Sequence, residues 1–159
     1  MEKYKNIVEI INSSIRLFNG YFKENYQFEE LDISQFCNQK YFYTIKNNKE
    51  INLSQVRNCG VPGVYFLFGF HIDNPSKIAV YVGKASLNSN TGARLVTYFK
   101  PKDMISINGD LFYKKDNYAI EYLTLIPFDD YDIYFLSAAL EEFLLTRLSE
   151  DINLINKIY

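Results

Sequence analysis

Histidine and cysteine, which build many catalytic and metal sites, are scarce in this 159-residue sequence. The single histidine, His71, falls in a stretch of turn residues, so neither histidine acid–base chemistry nor a His-rich zinc site is expected. The two cysteines, Cys37 and Cys59, have neither CxxC nor metal-ligand spacing. We therefore expect free, buried thiols in a reducing compartment.

Long apolar runs are absent as well. No apolar run approaches the length of a transmembrane helix, and residues 1–5 lead into an amphipathic pattern and not into a signal-peptide core. Hydrophobic residues make up 48% of the chain and charged residues 23%, which argues against disorder. We expect a cytoplasmic protein with no membrane partner, built as one domain with an elaboration.

The chain has no strong excess of charge, because its net charge is −2, but the charge is unevenly distributed. Residues 1–76 are balanced, residues 77–115 carry seven positive and two negative groups, and residues 116–159 carry two positive and nine negative groups. A basic middle segment is what binding to a phosphate backbone requires. Taken singly, four of its lysines also fit an ordinary solvated surface: Lys100, Lys102, Lys114 and Lys115.

Residues 1–58 predict an N-terminal elaboration that is mostly helical. Apolar residues repeat at helical spacing and predict a helix over residues 4–18. Alternating residues over 41–45 and 51–53 predict a hairpin. No motif in this segment indicates a function.

Two tyrosine–glycine segments, Gly63-Val64-Tyr65 and Tyr81-Val82-Gly83, lie inside apolar runs. The turn residues 71–76 separate them, so we predict an antiparallel hairpin that brings Tyr65 and Tyr81 onto neighbouring strands. Residues 118–126 alternate into a third strand.

Arg94 and Tyr98 follow the second segment at a spacing of four residues. A polar cap residue, Asn90 or Thr91, predicts a helix that continues to Lys100. Arg94 and Tyr98 would then share one face of that helix.

Two adjacent glutamates, Glu141 and Glu142, lie in the last predicted helix. At 100° per residue Glu141 points inward, close to the direction of Leu144, and Glu142 points outward. A carboxylate on the inward edge costs desolvation unless it is paired or binds a cation. Two explanations stay open: Glu141 holds a metal ion, or it pairs internally with Arg94 or Lys84 and does no chemistry.

The order of these residues resembles the GIY-YIG endonuclease superfamily, which is named for the same two tripeptide elements. The pattern continues with a helical arginine, a histidine or tyrosine one turn later, a helical glutamate and an asparagine, and it covers roughly residues 61–156. The resemblance implies a nuclease-like domain over residues 59–159. Its expected α/β (α+β) fold is a small three-stranded, mainly antiparallel sheet flanked by helices, with residues 1–58 as the elaboration.

The resemblance also implies a divalent-metal-dependent endonuclease that hydrolyses DNA phosphodiester bonds, with RNA left open as a substrate. Tyr65 would be the general base or orient the water, Tyr81 would position water or phosphate, and Tyr98 would stand where many members have histidine. A tyrosine is a poor base unless a nearby cation favours its phenolate, and Lys84 directly follows Gly83.

The remaining roles concern metal, substrate and support. Glu141 would hold one Mg²⁺ or Mn²⁺, because Mg²⁺ keeps several waters and a single protein carboxylate can suffice. The groups expected to bind nucleic acid are Lys84, Arg94, Lys100 and Lys102. The residues expected to support the site are Gly63, Gly83 and Asn153.

Two other classes of function stay open. The first is a nucleic-acid-binding or assembly module with the same fold and no catalysis. The second is an unrelated α/β interaction domain in which the 13 Phe and 14 Tyr are core residues. Only the nuclease requires Tyr65, Tyr81, Arg94 and Glu141 to converge on one accessible cleft. The pattern ends soon after Asn153, which leaves open a longer protein whose further domain or subunit recognises the target.

Overall fold

A computed structural model describes residues 2–23, 26–86, 89–128 and 135–156. Within those ranges the fold is α+β, with one antiparallel sheet of six strands and three α-helices. In chain order the elements are α1 Lys5–Asn19, β1 Tyr43–Thr44, β2 Gly63–His71, β3 Asn74–Ala85, α2 Thr91–Leu95, β4 Met104–Ile107, β5 Asp110–Lys115, β6 Tyr118–Pro127 and α3 Leu136–Asp151.

The centre of the sheet is the part that the sequence pattern predicts. The strand order is β3-β2-β6-β5-β4, with β1 paired to β6. The hairpin of β2 and β3 is confirmed, and so is the strand over residues 118–126. The connecting turn is shorter than predicted, because β3 already begins at Asn74 and includes Pro75. Proline is tolerated there since β3 is an edge strand.

The prediction of a three-stranded sheet is wrong. Strands β4 and β5 form a further hairpin that extends the sheet beyond β6. Its turn is Asn108-Gly109, with φ of 52° and 88°, the backbone that a two-residue turn between twisted strands needs. An Asn-Gly pair between alternating apolar residues is a strong hairpin signal, so these strands could have been found from the sequence.

The prediction of a mostly helical N-terminal elaboration is also wrong. The helix predicted over residues 4–18 is confirmed as α1, but the segment between α1 and β2 is mostly loop with short 3₁₀ helices at Ile33–Cys37 and Leu53–Gln55. The predicted hairpin of residues 41–45 and 51–53 does not form. Its first half gives only the two-residue β1, which pairs with β6, and its second half runs into the 3₁₀ helix that Asn52 caps through the N–H of Ser54.

The two faces of the sheet are covered by different elements, because alternate residues of a strand point to opposite sides. On one side, here called the helix face, Val64 and Val82 pack with Leu144 in the cluster that includes α1 and α3. On the other side, here called the phenol face, Tyr65 and Leu67 pack with residues of α2, β5 and the loop after β1. Consecutive residues of β2 therefore pack on opposite faces of the sheet.

The cysteines, the single histidine and the length of the helices were also the subject of expectations from the sequence. The Cys59 thiol is free and half-buried, whereas the Cys37 side chain lies outside the described part of the chain. His71 ends β2, and its ring packs edge-on against Tyr118. None of the helices in the described ranges is both long and apolar enough to cross a bilayer.

Candidate functional site

Both glycines of the two tyrosine–glycine segments are required by close approach of neighbouring groups. Tyr65 is 1% exposed, and its side chain lies over Gly83, its register partner on β3. A β-carbon at residue 83 would stand 2.5 Å from the Tyr65 phenol oxygen. At residue 63 a β-carbon would overlap the Ile126 carbonyl of β6. The glycines thus allow the phenol and the strands to pack this closely.

Three tyrosine hydroxyls meet on the phenol face. The Tyr98 hydroxyl accepts a hydrogen bond from Tyr65 at 3.2 Å and shares another with Tyr81 at 3.2 Å. The Tyr65 and Tyr81 rings are stacked with centroids 6.3 Å apart. Residues from β2, β3 and the turn after α2 therefore form one connected group, here called the tyrosine cluster (Tyr65, Tyr81 and Tyr98).

Helix α2 delivers Arg94 and Tyr98 to this site, although it is shorter than predicted. Asn90 caps it as expected, but the helix ends at Leu95 and does not continue to residue 100. The Thr97 hydroxyl donates to the Arg94 carbonyl at 2.6 Å, and such local bonding by Thr competes with helix continuation. Tyr98 therefore leaves the helix in a turn, and Arg94 stays exposed on the last turn.

The phenols of Tyr65 and Tyr81 stay protonated in the folded protein. Burial, followed by the hydrogen bond with Tyr98, raises the pKa of Tyr65 well above its usual range, and the same two causes raise the pKa of Tyr81. The positive charge of Arg94 acts in the opposite direction on both phenols, so its guanidinium lies within electrostatic reach. At neutral pH Tyr65 and Tyr81 are therefore protonated.

Glu141 and Lys84 form an ion pair beside the cluster. Lys84 alternates with Val82 and so points to the helix face, where its Nζ lies 3.0 Å from Oε2 of Glu141. The Glu141 side chain is 17% exposed, whereas Glu142 is exposed, which is the helix phase that the sequence predicts. The charge of Glu141 contributes to the raised pKa of Tyr81, so the carboxylate lies within electrostatic range of that phenol. The internal pairing with Lys84 left open above is present.

The asparagine that braces the site most directly is Asn156 and not Asn153. Asn153 donates from Nδ2 to the Ile78 carbonyl at 3.1 Å. Asn156 accepts a hydrogen bond from the Val82 N–H at 2.8 Å and donates one to the Val82 carbonyl at 2.7 Å. Its side chain therefore bonds to both backbone polar groups of Val82. Val82 lies between Tyr81 and Gly83. Sequence reasoning missed Asn156, for which the only signal is an amide three residues after Asn153.

Lys115 is a second residue of the site that sequence reasoning did not select. It ends β5, and its Nζ lies 5.1 Å from the ring centroids of both Tyr81 and Tyr98. This position depends on β5 lying next to β6, which a three-stranded sheet does not include. The hairpin signal at Asn108-Gly109 is the feature that could have led to it.

Lys100 precedes a 3₁₀ helix at Pro101–Asp103, Lys102 lies within it, and both are exposed. Lys102 lines a surface pocket with Lys114 and Asn117. Among the contacts of the described residues, none joins Lys100 or Lys102 to the tyrosine cluster. The structure therefore leaves these two lysines at the periphery. It places Arg94 within electrostatic range of Tyr65 and Tyr81, and Glu141 within range of Tyr81. The contacts of the described residues join Lys84 to Glu141 on the helix face and not to a phenol, in contrast to the expectation that it stands beside a phenolate.

The donor set suits a hard cation held by few protein ligands. In the described ranges no three or more His, Cys, Asp or Glu residues are grouped so that they could share a metal ion. Glu141 is a single carboxylate paired with Lys84, and Mg²⁺ commonly binds one or two carboxylates, several waters and substrate phosphates. Glu141 could hold such an ion if the Lys84 ammonium moved away from its carboxylate.

Comparison of the chain with protein-family models, with curated proteins and with solved structures gave no match. The assignment of the site therefore depends on its own residues and their geometry.

Proposed function

We propose that this chain is a cytoplasmic, divalent-metal-dependent endonuclease of the GIY-YIG type that hydrolyses phosphodiester bonds of DNA. One observation carries the proposal: Tyr65 and Tyr81 meet Tyr98 through hydrogen bonds, with Arg94 within electrostatic range of Tyr65 and Tyr81 and Glu141 within range of Tyr81. These residues come from β2, β3, α2 with its following turn, and α3, so their convergence is a property of the tertiary structure. Aromatic residues placed only for packing have no need of it.

The chain's own groups provide two requirements of phosphodiester hydrolysis. Arg94 is exposed and can donate two parallel hydrogen bonds to phosphate oxygens. The Tyr65 hydroxyl already donates to Tyr98, and a second bond joins Tyr98 and Tyr81, so one O–H of the cluster, that of Tyr81 or Tyr98, is left to donate to a water or to a phosphate oxygen. Because burial raises its pKa, Tyr65 does not remove a proton from the attacking water in this state. The role assigned to it here is to orient that water by accepting a hydrogen bond at its phenol oxygen, since its own O–H donates to Tyr98.

Glu141 would hold one Mg²⁺ or Mn²⁺. When bound, the ion supplies Lewis-acid stabilisation of the leaving 3′ oxygen. Lys84 holds the Glu141 carboxylate at the edge of β3, and its side chain is 37% exposed, so its ammonium can turn from the carboxylate to a substrate phosphate.

A second candidate is a nucleic-acid-binding or assembly module with no catalysis. Two observations favour it: the Lys84–Glu141 ion pair already satisfies the carboxylate, and the raised pKa of Tyr65 disfavours a phenolate base. Under this alternative Arg94 and the lysines of residues 77–115 bind a phosphate backbone without cleaving it.

Incubation with supercoiled plasmid, with and without Mg²⁺ or Mn²⁺, separates the two. The nuclease converts the plasmid to nicked or linear DNA only when the metal is present. Parallel preparations of Glu141→Gln and Glu142→Gln serve as inactive and active controls and exclude a contaminating nuclease. Plasmid that is retarded on a gel but never cut, at any metal concentration, supports the binding module and contradicts the enzyme.

A further inference from the structure

Positive charge surrounds the tyrosine cluster on the phenol face. Arg94 approaches from α2, and Lys115 approaches from β5 with its Nζ at 5.1 Å from the ring centroids of both Tyr81 and Tyr98. The nearest carboxylate of α3, that of Glu141, is engaged by Lys84 on the helix face. The exposed rim of the cluster therefore has an excess of cations.

Lys115 is held there by weak interactions. Its stem follows the phenol face because it alternates with Tyr113, which is buried in the cluster of that face. In the described part of the chain its one ion pair is to Asp116, at 3.7 Å, which is longer than a hydrogen bond. An ammonium over aromatic rings keeps N–H donors that the rings do not satisfy. Those donors remain available to an anion.

We propose that Lys115 binds a backbone phosphate of the DNA substrate at the rim of the tyrosine cluster. The inference rests on the proposed function, since it assumes a phosphodiester substrate at this site. Lys115 lies outside the residue pattern that suggested a nuclease. The Lys115 ammonium, the Arg94 guanidinium and the one phenol O–H that is not used within the cluster provide three kinds of hydrogen-bond donor for such a phosphate. Lys115 acts as a substrate-positioning residue under this assignment.

The neighbouring residues offer matched variants. Lys115→Met removes the charge and keeps an unbranched apolar stem over the rings. Lys114→Met removes the same charge one residue earlier, on the helix face. Asp116→Asn removes the competing carboxylate, and asparagine tolerates the positive φ of 54° at that position.

The measurement is the fluorescence anisotropy of a labelled duplex DNA in EDTA, titrated at several salt concentrations. Loss of one phosphate contact lowers the slope of log affinity against log salt by about 0.9, equivalent to about eightfold weaker binding at 0.1 M salt. We expect this for Lys115→Met, a change within about twofold for Lys114→Met, and tighter binding for Asp116→Asn. Equal losses in the two Met variants would overturn the proposal, because they would reflect net charge alone.

Thermal unfolding of the same variants provides the structural control. If Lys115→Met lowers the melting temperature and leaves the slope of log affinity against log salt unchanged, Lys115 only stabilises the packing of the tyrosine rings and the proposal is wrong. If the wild type cuts DNA and Lys115→Met binds DNA as tightly as the wild type, this inference is wrong and the proposed nuclease stands. A wild type that binds through Lys115 and never cuts overturns the enzyme alone, and one that neither binds nor cuts overturns both.

Discussion

The phenol of Tyr65 occupies the space where a side chain at residue 83 would begin. A β-carbon on Gly83 would lie 2.5 Å from both the ring Cζ and the hydroxyl oxygen of Tyr65. Glycine is therefore needed at residue 83 for contact, not for an unusual backbone angle. The hydroxyl that this contact positions is the one that donates to Tyr98.

Gly83→Ala should displace Tyr65 and destabilise the fold. Overpacking at a buried site costs about 2 kcal/mol, and the displaced hydroxyl loses its bond to Tyr98, so DNA cleavage should fall as well. The control is Gly60→Ala, because no atom lies within 4 Å of a β-carbon at residue 60. Denaturant unfolding should show Gly60→Ala unchanged or up to about 1 kcal/mol more stable. Equal stability of the two variants would contradict the contact.

Arg94→Ala should abolish cleavage and leave the fold intact. The side chain is exposed at the end of α2, where alanine is a good helix former. Arg147→Ala, an exposed arginine of α3, is the matched control and should cut plasmid normally. An Arg94→Ala protein that melts early but still cuts would make Arg94 structural.

Glu141→Gln and Glu142→Gln should behave oppositely although the residues are adjacent. Glu141→Gln removes the carboxylate proposed to hold the metal, so cleavage should fall by orders of magnitude. Its unfolding free energy should change by no more than about 1 kcal/mol, because Lys84, its partner, stays partly exposed. The Glu142 side chain faces water, so the Glu142→Gln variant should cut DNA normally. Cleavage lost in Glu142→Gln and kept in Glu141→Gln would mean that the metal assignment is wrong.

The unfolding free energy should decrease as pH rises above about 10, the pKa of tyrosine in an unfolded chain. Burial raises the pKa of both Tyr4 and Tyr65 in the folded protein, so the folded state keeps protons that the unfolded state loses. The contribution of these two phenols to the unfolding free energy is fully present below pH 10. It is lost progressively as the pH rises toward their raised pKa in the folded state. Each contributes a slope of about −1.4 kcal/mol per pH unit. Denaturant titrations of wild type and Tyr65→Phe should differ by that slope, and parallel curves would contradict it.

Asn156→Ala should damage the site more than Asn153→Ala. Asn156 holds both the N–H and the carbonyl of Val82, and losing both bonds costs about 2 kcal/mol. Asn153→Ala loses one side-chain bond, to the Ile78 carbonyl, at an exposed position and should cost about 1 kcal/mol or less. Thermal unfolding and plasmid cleavage, measured on both variants, check the order. The reverse order would return the bracing role to Asn153.

Local sequence patterns predicted several features that depend on near neighbours. The spacing of apolar residues predicts α1, and the helix phase predicts that Glu141 is more buried than Glu142. Turn residues between two apolar runs predict the β2–β3 hairpin. Each of these depends on periodicity or on a turn of a few residues.

The errors have two origins: a partner that is distant in the chain, and local signals that were not recognised. Residues 41–45 resemble half of a hairpin, but their strand pairs with β6, about eighty residues later. Helix α2 ends early because Thr97 bonds to the carbonyl of Arg94 and Tyr98 turns toward the sheet. Strands β4 and β5 were missed despite the Asn-Gly turn, and Lys115 was missed with them.

The sequence by itself determined the local elements and the order of the residues selected for the site, because both depend on composition, periodicity and spacing. Only the tertiary structure decided which groups meet: Gly83 beneath Tyr65, Asn156 against Val82, and Glu141 with Lys84. Register between strands and the packing of α3 bring these groups together. Both are set by burial of apolar surface over the whole domain, a free energy that no short segment contains.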